Sequence, residues 1–494
     1  MTMKTTHKIF LSLAIVATLL QGCSKFRDFG DINNDPNRTE IPFTAGLLTN
    51  ILAGIANRAT QQNPGYYCQY FSETQYPQIS LYSLPQFDFD GIYAGAMFDC
   101  QNIINTNTDP DTKTIALVNG SNNNQIAIAR IIKAYYFWTI TDAWGDIPYT
   151  EALKGIENKF PKYDRQEDIY LLLLEELKQA NAQFDNGPAI KGDIVYGGNI
   201  GQWKKFANSI RMLIALRMSK RYPSAGQLAA LEFKAALTDP AGHIAANADN
   251  FSVTYPGDSY NNPWFVTYDA RRDLGQAEPF VNLLTELNDR RQLNGIYGTS
   301  LTGVPYGRNR NYMNNVWGGV FASGIWSRVL GDDYRTSGSR VDIIHASMLL
   351  FARAEARELG WTTAAEEPDN AATLYRNAII TSYTQWGLTE ADGGAYYNNS
   401  DIIYGTNLEE NLKKIALQRY IALYPDGHQG WCEWRRTGVP ELEPARDALS
   451  ASGRIPRRFV YGVNDYSTNR KSVLDAVALL PSGDSQDERV WWDR

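Results

Sequence analysis

The sequence predicts an α-rich protein, in which a scaffold of paired helices stands beside a large irregular half made of loops. Three observations lead to this prediction. Apolar residues recur at helical spacing in eight stretches, strand-like alternation is weak, and three long aperiodic stretches are rich in Asn, Gly, Tyr and Trp. Since 44% of the 494 residues are hydrophobic and 20% are charged, the chain has the composition of a globular protein with a sizeable core.

The helical stretches share an apolar stripe at positions i, i+3, i+4 and i+7. In the second stretch the stripe includes Ile128, Ile131, Ile132 and Tyr135, and Gly145 follows as a stop signal. The stretches cover residues 43–59, 126–143, 167–184, 202–221, 227–238, 341–359, 370–383 and 408–424. Helix pairs joined by short turns favour a tetratricopeptide-like α-solenoid, although no clean repeat is visible in the sequence.

The first residues have the features of an export signal. Lys4 and Lys8 precede an apolar run at residues 9–20. As a helix this run would span about 18 Å, well short of the roughly 30 Å hydrocarbon core of a bilayer. Residues 1–22 are therefore predicted to be a signal peptide rather than a membrane anchor.

A possible lipid attachment site follows the apolar run directly. The segment LQGC at residues 20–23 resembles the bacterial lipobox, in which the cysteine thiol is diacylated and the peptide is cut just before it. We therefore expect Cys23 to carry the lipid, and the polar, turn-rich residues 23–40 to form a lipidated tether. The alternative is an ordinary signal peptide with a chance cysteine. The remaining residues, 41–494, are expected to form one helical binding domain.

Composition favours a binding protein over a catalyst or a nucleic-acid partner. Lys and Arg total 47 against 54 Asp and Glu, so the net charge is −7 and there is no basic excess for nucleic acid. Only 4 His accompany 12 Trp, 29 Tyr and 19 Phe. Neither a Walker loop nor a dinucleotide fingerprint is present in the sequence, and no cofactor is expected.

The remaining cysteines do not define a metal site or a disulfide framework. Cys68, Cys100 and Cys432 lack a C-x-x-C arrangement, so we expect no bound metal. One pair among them could form a disulfide, and the sequence does not say which pair.

Four motifs, two of them in two parts, follow one another along the chain and carry a family resemblance. They are NNDPN (33–37), AYYFWTITDAWGDIPY (134–149), QRYIALYPDG (418–427), WRRTGVP (434–440), PRR (456–458) and WWD (491–493). Together they resemble the SusD/RagB-type outer-membrane lipoproteins of Bacteroidetes. The resemblance covers nearly the whole chain after the lipobox.

The resemblance implies a fold, a location and a partner. Such proteins combine tetratricopeptide-like helix pairs with an irregular half in a single SusD-like unit, and lipid anchors them to the outer membrane, facing outward. They close a SusC-like TonB-dependent transporter and capture oligosaccharides or, in some members, peptides. The resemblance implies neither catalysis nor a cofactor. Peptide binding by the same fold and a surface glycoside hydrolase are the alternatives.

Aromatic and polar residues of the three aperiodic stretches, 60–93, 245–275 and 294–338, are the candidates for ligand contact. A sugar ring packs its C–H face on an aromatic ring, and its hydroxyl groups need directional donors and acceptors. The candidates are Tyr76, Tyr82, Tyr260, Asn261, Trp264, Tyr306, Arg308, Tyr312 and Trp317. The alternative is that these rings pack inside the loops, since large aromatic side chains dominate burial.

Several other groups suggest chemistry, but we favour a structural role for each. Asp142, Asp146 and Glu151 could be the paired carboxylates of a glycosidase, yet a turn after a buried helix explains them. The Arg435-Arg436 pair could bind an anion, but we expect it to lock the C-terminal region. Trp491-Trp492 could dock the transporter, but we expect it to fill a groove. His428 has no visible nucleophile at local spacing.

Overall fold

Helices dominate the structure, a computed structural model that describes residues 42–84, 87–318 and 325–494. The prediction of an α-rich fold is confirmed. From Thr44 to Arg494 the chain forms one compact unit.

The predicted N-terminal segments fall outside this description. Residues 1–22, residues 23–40 and the lipidation site Cys23 all belong to the part of the chain that is not described. Within the described ranges, no helix is both long enough and apolar enough to cross a membrane.

Helices that pack on their sequence neighbours build the first half of the unit. They are α1 (Thr44–Ala59), α2 (Gln62–Tyr67), α3 (Asp90–Ile92), α4 (Phe98–Thr108), α5 (Lys113–Ala116), α6 (Asn122–Trp144), α7 (Gln166–Gln183), α8 (Ile200–Arg217) and α9 (Leu228–Leu237). Helix α1 packs on α4, α4 on α6, and α6 on α7, while α7 and α9 both pack on α8. This succession of packed pairs is the scaffold that the periodicity predicts.

The second half combines long helices with short ones. They are α10 (Pro263–Ala270), α11 (Glu278–Glu286), α12 (Arg290–Leu293), α13 (Arg310–Asn315), α14 (Ala346–Glu358), α15 (Ala371–Gln385), α16 (Glu390–Tyr397), α17 (Leu408–Leu423), α18 (Gly427–Thr437), α19 (Val463–Thr468) and α20 (Arg470–Val477). Helix α14 packs on α8, α15 and α17, and α18 packs on α2 and α17. Helix α14 therefore joins the two halves of the scaffold.

Short antiparallel strand pairs connect distant parts of the chain. The strands are β1 (Phe71–Glu73), β2 (Ile147–Pro148), β3 (Tyr163–Asp164), β4 (Phe251–Thr254), β5 (Leu274–Gln276) and β6 (Arg340–Ile344). They pair as β1 with β5, β2 with β3, and β4 with β6. The first of these pairs joins two irregular stretches to each other, and the third joins an irregular stretch to the strand that leads into α14.

One helix prediction is wrong at its start. Residues 341–359 read as a single helix, but the first of them belong to β6, and α14 begins only at Ala346. Val341 pairs with Val253 and Ile344 pairs with Phe251, so their apolar side chains are buried through a strand ladder. A short β-branched run next to a helix favours either state, and tertiary pairing decides.

The C-terminus is held by stacked tryptophan and arginine side chains. Trp492 is fully buried, with the guanidinium carbons of Arg217 and Arg435 at 5.3 Å and 4.7 Å from its ring centroid. The neighbouring Trp491 ring packs edge-on against Tyr170 at 5.5 Å. The prediction that these tryptophans fill a groove is confirmed.

A buried ion cluster locks α14, α17 and α18 together. Arg436 pairs with Glu355 at 2.6 Å and with Glu433 at 2.7 Å. Arg419 lies 3.6 Å from Glu355 and 3.7 Å from Glu433. Two carboxylates thus balance two guanidinium groups in a region closed to water, which confirms the structural role predicted for Arg436.

Candidate functional site

The pairing of β1 with β5 brings the irregular stretches together on one surface. The backbone N–H of Thr74 donates to the carbonyl oxygen of Asp273 at 2.9 Å and extends the ladder by one step. Tyr76, two residues further on, is 43% exposed. Its ring centroid lies 4.7 Å from the guanidinium carbon of Arg271 and 5.4 Å from that of Arg310. Residues from all three aperiodic stretches therefore meet at this tyrosine.

Helix α13 supplies the second ring of this surface. The Asn309 side chain caps the helix by accepting a hydrogen bond from the backbone N–H of Tyr312 at 3.0 Å. Arg308 precedes the cap, and its guanidinium carbon lies 3.9 Å from the Tyr312 ring centroid. The same guanidinium is 3.7 Å from the carboxylate of Asp447. Both side chains are thus held in place before any ligand arrives.

We call the set Tyr76, Arg271, Arg308, Arg310 and Tyr312 the arginine–tyrosine face. A small apolar cluster supports it from below, formed by the buried side chains of Val304, Met313 and Trp326 with Tyr312 and Trp317 packed against them. The structure thus brings four predicted residues to one region: Tyr76, Arg308, Tyr312 and Trp317.

Three other predicted rings support the loops instead. The Tyr306 hydroxyl donates to the carbonyl oxygen of Tyr66 at 2.7 Å, and the Tyr82 hydroxyl accepts from the backbone N–H of Ala445 at 2.8 Å. Tyr82 is buried. Trp264 is only 2% exposed and packs edge-on against Phe71. These side chains offer a ligand little surface in this structure.

Tyr260 and Asn261 lie on a tight turn of their own. The backbone groups of Gly257 and Tyr260 bond to each other, and the Asn261 amide donates to the carbonyl oxygen of Asp258 at 2.9 Å. Tyr260 is 60% exposed. In the described part of the chain, its ring makes no contact with the rings or guanidinium groups of the arginine–tyrosine face.

A pocket of about 320 Å³ lies behind Trp264, and β6 forms one of its walls. Several of its polar side chains bond to one another, whereas Gln385 Oε1 and the Trp386 indole N–H have no hydrogen-bond partner in the described part of the chain. Arg340 and Asp342 form an ion pair at 2.9 Å, and the Gln385 amide donates to Asp342 at 2.9 Å. Burial lowers the pKa of His345, which also lines the pocket, to about 4. The pocket is thus lined by mixed acidic, basic and aromatic side chains, whereas the arginine–tyrosine face presents the exposed Tyr76 ring among arginines.

A buried cluster of Asp142, His428 and Cys432 is a feature that the sequence analysis missed. The Cys432 sulfur lies 3.6 Å from an Asp142 oxygen and 3.8 Å from His428 Nε2. The signal was present as the i, i+4 spacing of His428 and Cys432 on one helix face. Among the described residues this is also the one group of three whose atoms are close enough to share a metal ion.

The surroundings of that cluster oppose both metal binding and catalysis. Arg435 donates to the Cys432 sulfur at 3.0 Å, and Arg217 lies 3.7 Å from Asp142, so two cations already occupy the space around it. Burial raises the pKa of Cys432 to about 11 and lowers that of His428, which leaves both groups neutral. All three side chains are buried away from solvent. We assign the cluster a structural role.

The carboxylates that suggested a glycosidase also hold the backbone. Asp142 accepts a hydrogen bond from Tyr170, and Asp146 accepts one from the backbone N–H of Gln166 at 2.8 Å. Glu151 accepts one from the backbone N–H of Lys162 at 3.0 Å. The three cysteines in the described ranges, Cys68, Cys100 and Cys432, are free and buried, so no disulfide joins them.

Comparisons with known proteins agree on one family and one architecture. A family model described as "Starch-binding associating with outer membrane" matches residues 36–462. A solved chitin-binding protein is 25% identical with a TM-score of 0.74, and the match covers 91% of this chain and 99% of that chain. A SusD homologue from Bacteroides uniformis is also 25% identical, with a TM-score of 0.75 and coverage of 92% and 100%.

A third solved structure shares the fold at lower identity. It is a chitin-binding SusD homologue from Flavobacterium johnsoniae, 23% identical with a TM-score of 0.73, and the match covers 91% of this chain and 98% of that chain. No curated protein sequence gives a significant match.

Proposed function

Since this chain belongs to the SusD-like family, we propose that it is a cell-surface lipoprotein that captures oligosaccharides and passes them to a SusC-like TonB-dependent transporter. Members of this family are binding proteins rather than enzymes, and they are associated with the outer membrane. In the proposed mechanism the lipid on Cys23 keeps the protein at the membrane surface. Ligand captured there reaches a high local concentration at the mouth of the transporter.

The observation that carries the proposal is the exposed Tyr76 ring set among arginine side chains. Aromatic faces attract the C–H face of a pyranose ring, and guanidinium groups donate directional hydrogen bonds to its oxygen atoms. Tyr312 offers a second ring on the same face. Two rings on an open surface suit a chain of sugars better than a single small molecule.

The arrangement also supports capture without chemical change. The carboxylates that could have served a hydrolase are engaged with backbone and tyrosine groups, as described above. The carboxylates that border the arginine–tyrosine face, Asp273 and Asp447, are paired with Arg271 and Arg308. The arginines of the face bind but do not transfer protons at neutral pH.

Binding of purified protein to a panel of hexasaccharides tests the proposal. The panel contains chitohexaose, maltohexaose and hexagalacturonate, with a peptide library beside it. We expect at least one hexasaccharide to bind without release of shorter products, and the lipidated protein to co-purify with a β-barrel transporter from its native membrane. Binding of peptides alone would contradict the oligosaccharide part of the proposal, and shortened products would contradict its non-catalytic part.

A further inference from the structure

A second arginine cluster lies beside the arginine–tyrosine face. A pocket of about 220 Å³ is lined by Tyr268, Arg272, Arg328, Asp332 and Arg335. We call it the arginine pocket. Three guanidinium groups face one carboxylate there, in a chain whose net charge is −7. The pocket therefore differs in charge from the rest of the molecule.

The arginine pocket and the arginine–tyrosine face are continuous through backbone and packing. Arg272 in the pocket directly follows Arg271, which stacks on Tyr76. On the other side, the guanidinium carbon of Arg328 lies 5.4 Å from the Trp326 ring, and Trp326 belongs to the apolar cluster that carries Tyr312. The backbone at Arg271 is extended, so the side chains of Arg271 and Arg272 leave it on opposite sides, and a ligand must be several sugars long to contact both the face and the pocket.

The arginines of the face and of the pocket differ in whether a carboxylate balances their charge. Arg335 pairs with Asp332, Arg271 with Asp273, and Arg308 with Asp447. Within the described ranges, Arg272 and Arg310 take part in no ion pair, and both are exposed. Two uncompensated positive charges thus border the same surface.

A second buried carboxyl group near Arg271, that of Glu73, adds little negative charge, whereas Asp273 is the carboxylate that pairs with Arg271. Glu73 ends β1 and accepts a hydrogen bond from the Tyr66 hydroxyl at 2.6 Å. Burial raises the pKa of Glu73 to about 7, even though the hydrogen bond from Tyr66 opposes that shift. Near neutral pH this side chain is only partly ionised, so it offsets little of the charge of Arg271 and Arg272.

The chemistry of this lining selects among sugars. A neutral sugar hydroxyl both donates and accepts hydrogen bonds, and it is best matched by side chains that do both. A guanidinium group only donates, and its planar fork fits the two oxygens of a carboxylate or sulfate group. A pocket lined by arginines therefore complements ligand groups that only accept hydrogen bonds, such as carboxylate and sulfate groups.

We propose that this protein selects acidic oligosaccharides, with a uronate carboxylate or a sulfate group in the arginine pocket and a neighbouring sugar ring on Tyr76. The inference rests on the proposed function and adds the substrate class. Arg272 and Arg310 provide the attraction, and Tyr76 provides the stacking surface.

A matched pair of ligands tests the charge requirement. Hexagalacturonate and its full methyl ester have the same rings, and esterification removes only the negative charges. We expect the acid to bind at least about tenfold more tightly than the ester by calorimetry. We also expect its affinity to fall several-fold between about 50 mM and about 500 mM NaCl. Chondroitin sulfate hexasaccharide tests sulfate, chitohexaose tests neutral sugars, and a hexaglutamate peptide tests whether charge alone suffices.

Matched variants test the residues. The double variant Arg272→Gln, Arg310→Gln removes two exposed charges, and we expect it to lose the preference for acid over ester. Arg376→Gln is the control, because Arg376 is also exposed and its guanidinium carbon also lies over a tyrosine, Tyr397, at 5.9 Å. Arg272→Lys retains the charge without the planar fork and should give an intermediate affinity. Equal urea midpoints would show that the variants are folded.

The outcomes separate this inference from the proposed function. If chitohexaose or the ester binds as tightly as the acids, the inference is overturned while oligosaccharide capture stands. If the acids bind but the double variant keeps the preference, the assigned residues are wrong and the inference is overturned. If hexaglutamate binds as tightly as the acidic sugars, charge alone suffices and the inference is overturned while oligosaccharide capture stands. If none of the sugars binds, the proposed function is overturned too.

Discussion

Replacing Tyr76 by alanine gives the most direct mutational test of the arginine–tyrosine face. A tyrosine side chain buries up to about 200 Å² when it is covered, so the 43% that is exposed leaves about 90 Å² for a ligand. At about 25 cal/mol per Å², complete coverage contributes about 2 kcal/mol, and half coverage about 1 kcal/mol. The Tyr76→Ala variant should therefore bind the best hexasaccharide of the panel between about 6-fold and about 40-fold more weakly.

The control for this variant is a more exposed tyrosine outside the face. Tyr260 is 60% exposed, so exposed area alone predicts a larger loss for Tyr260→Ala than for Tyr76→Ala. The location of Tyr260 outside the face predicts the opposite, namely that Tyr260→Ala binds the hexasaccharide as tightly as the unmutated protein does. Isothermal titration calorimetry of the hexasaccharide with both variants distinguishes these two expectations. Equal affinities for Tyr76→Ala and the unmutated protein, or a larger loss in Tyr260→Ala, would refute the assignment of the face.

Three further predictions concern stability and anchoring. Glu433→Gln leaves the charges of Arg436 and Arg419 partly uncompensated in the core, so the free energy of unfolding in urea should drop by about 3–5 kcal/mol. The control Glu409→Gln removes one partner of an exposed ion pair and should not change that free energy measurably. A drop for Glu433→Gln no larger than that of the control would contradict the role of the buried cluster. Burial raises the pKa of Asp426 to about 7, so this carboxyl group keeps its proton in the folded state, whereas in the unfolded state it releases the proton near pH 4. Between about pH 4 and about pH 7 this group therefore lowers the free energy of unfolding by up to about 1.4 kcal/mol for each unit that the pH rises. Asp426→Asn should therefore gain stability relative to the unmutated protein over that range, and a constant difference between the two would argue against the shift. Cys23→Ser should abolish incorporation of labelled palmitate and release the protein from the membrane fraction, and continued labelling would exclude Cys23 as the lipid site.

The helical scaffold was predictable because long amphipathic helices carry their pattern locally. The stretch 167–184 differs from α7 by one residue at each end, and the stretch 227–238 differs from α9 by the same amount. Helix α18 escaped prediction because its Gly, His, Gln, Glu and Arg residues are polar or small although they are buried. A helix whose buried residues are mostly polar lacks the apolar stripe from which a helix is predicted.

The candidate site was only partly predictable. Composition pointed to the loops that carry the arginine–tyrosine face, but the aromatic residues in them look alike in sequence. Tyr76 is exposed while Tyr82 is buried, and the difference arises from the backbone N–H of Ala445, which bonds to the Tyr82 hydroxyl from far along the chain. The roles of Arg271 and Arg310 likewise depend on the pairing of β1 with β5, a contact between distant segments. Contacts between residues far apart in the chain leave no pattern in the local sequence from which they could be predicted.

A crystal structure of the protein with hexagalacturonate would locate the ligand directly. The arginine–tyrosine face predicts a pyranose ring in van der Waals contact with Tyr76, and the arginine pocket predicts a carboxylate within hydrogen-bond distance of Arg272. Sugar density in the pocket behind Trp264, or on the turn that carries Tyr260, would contradict that assignment.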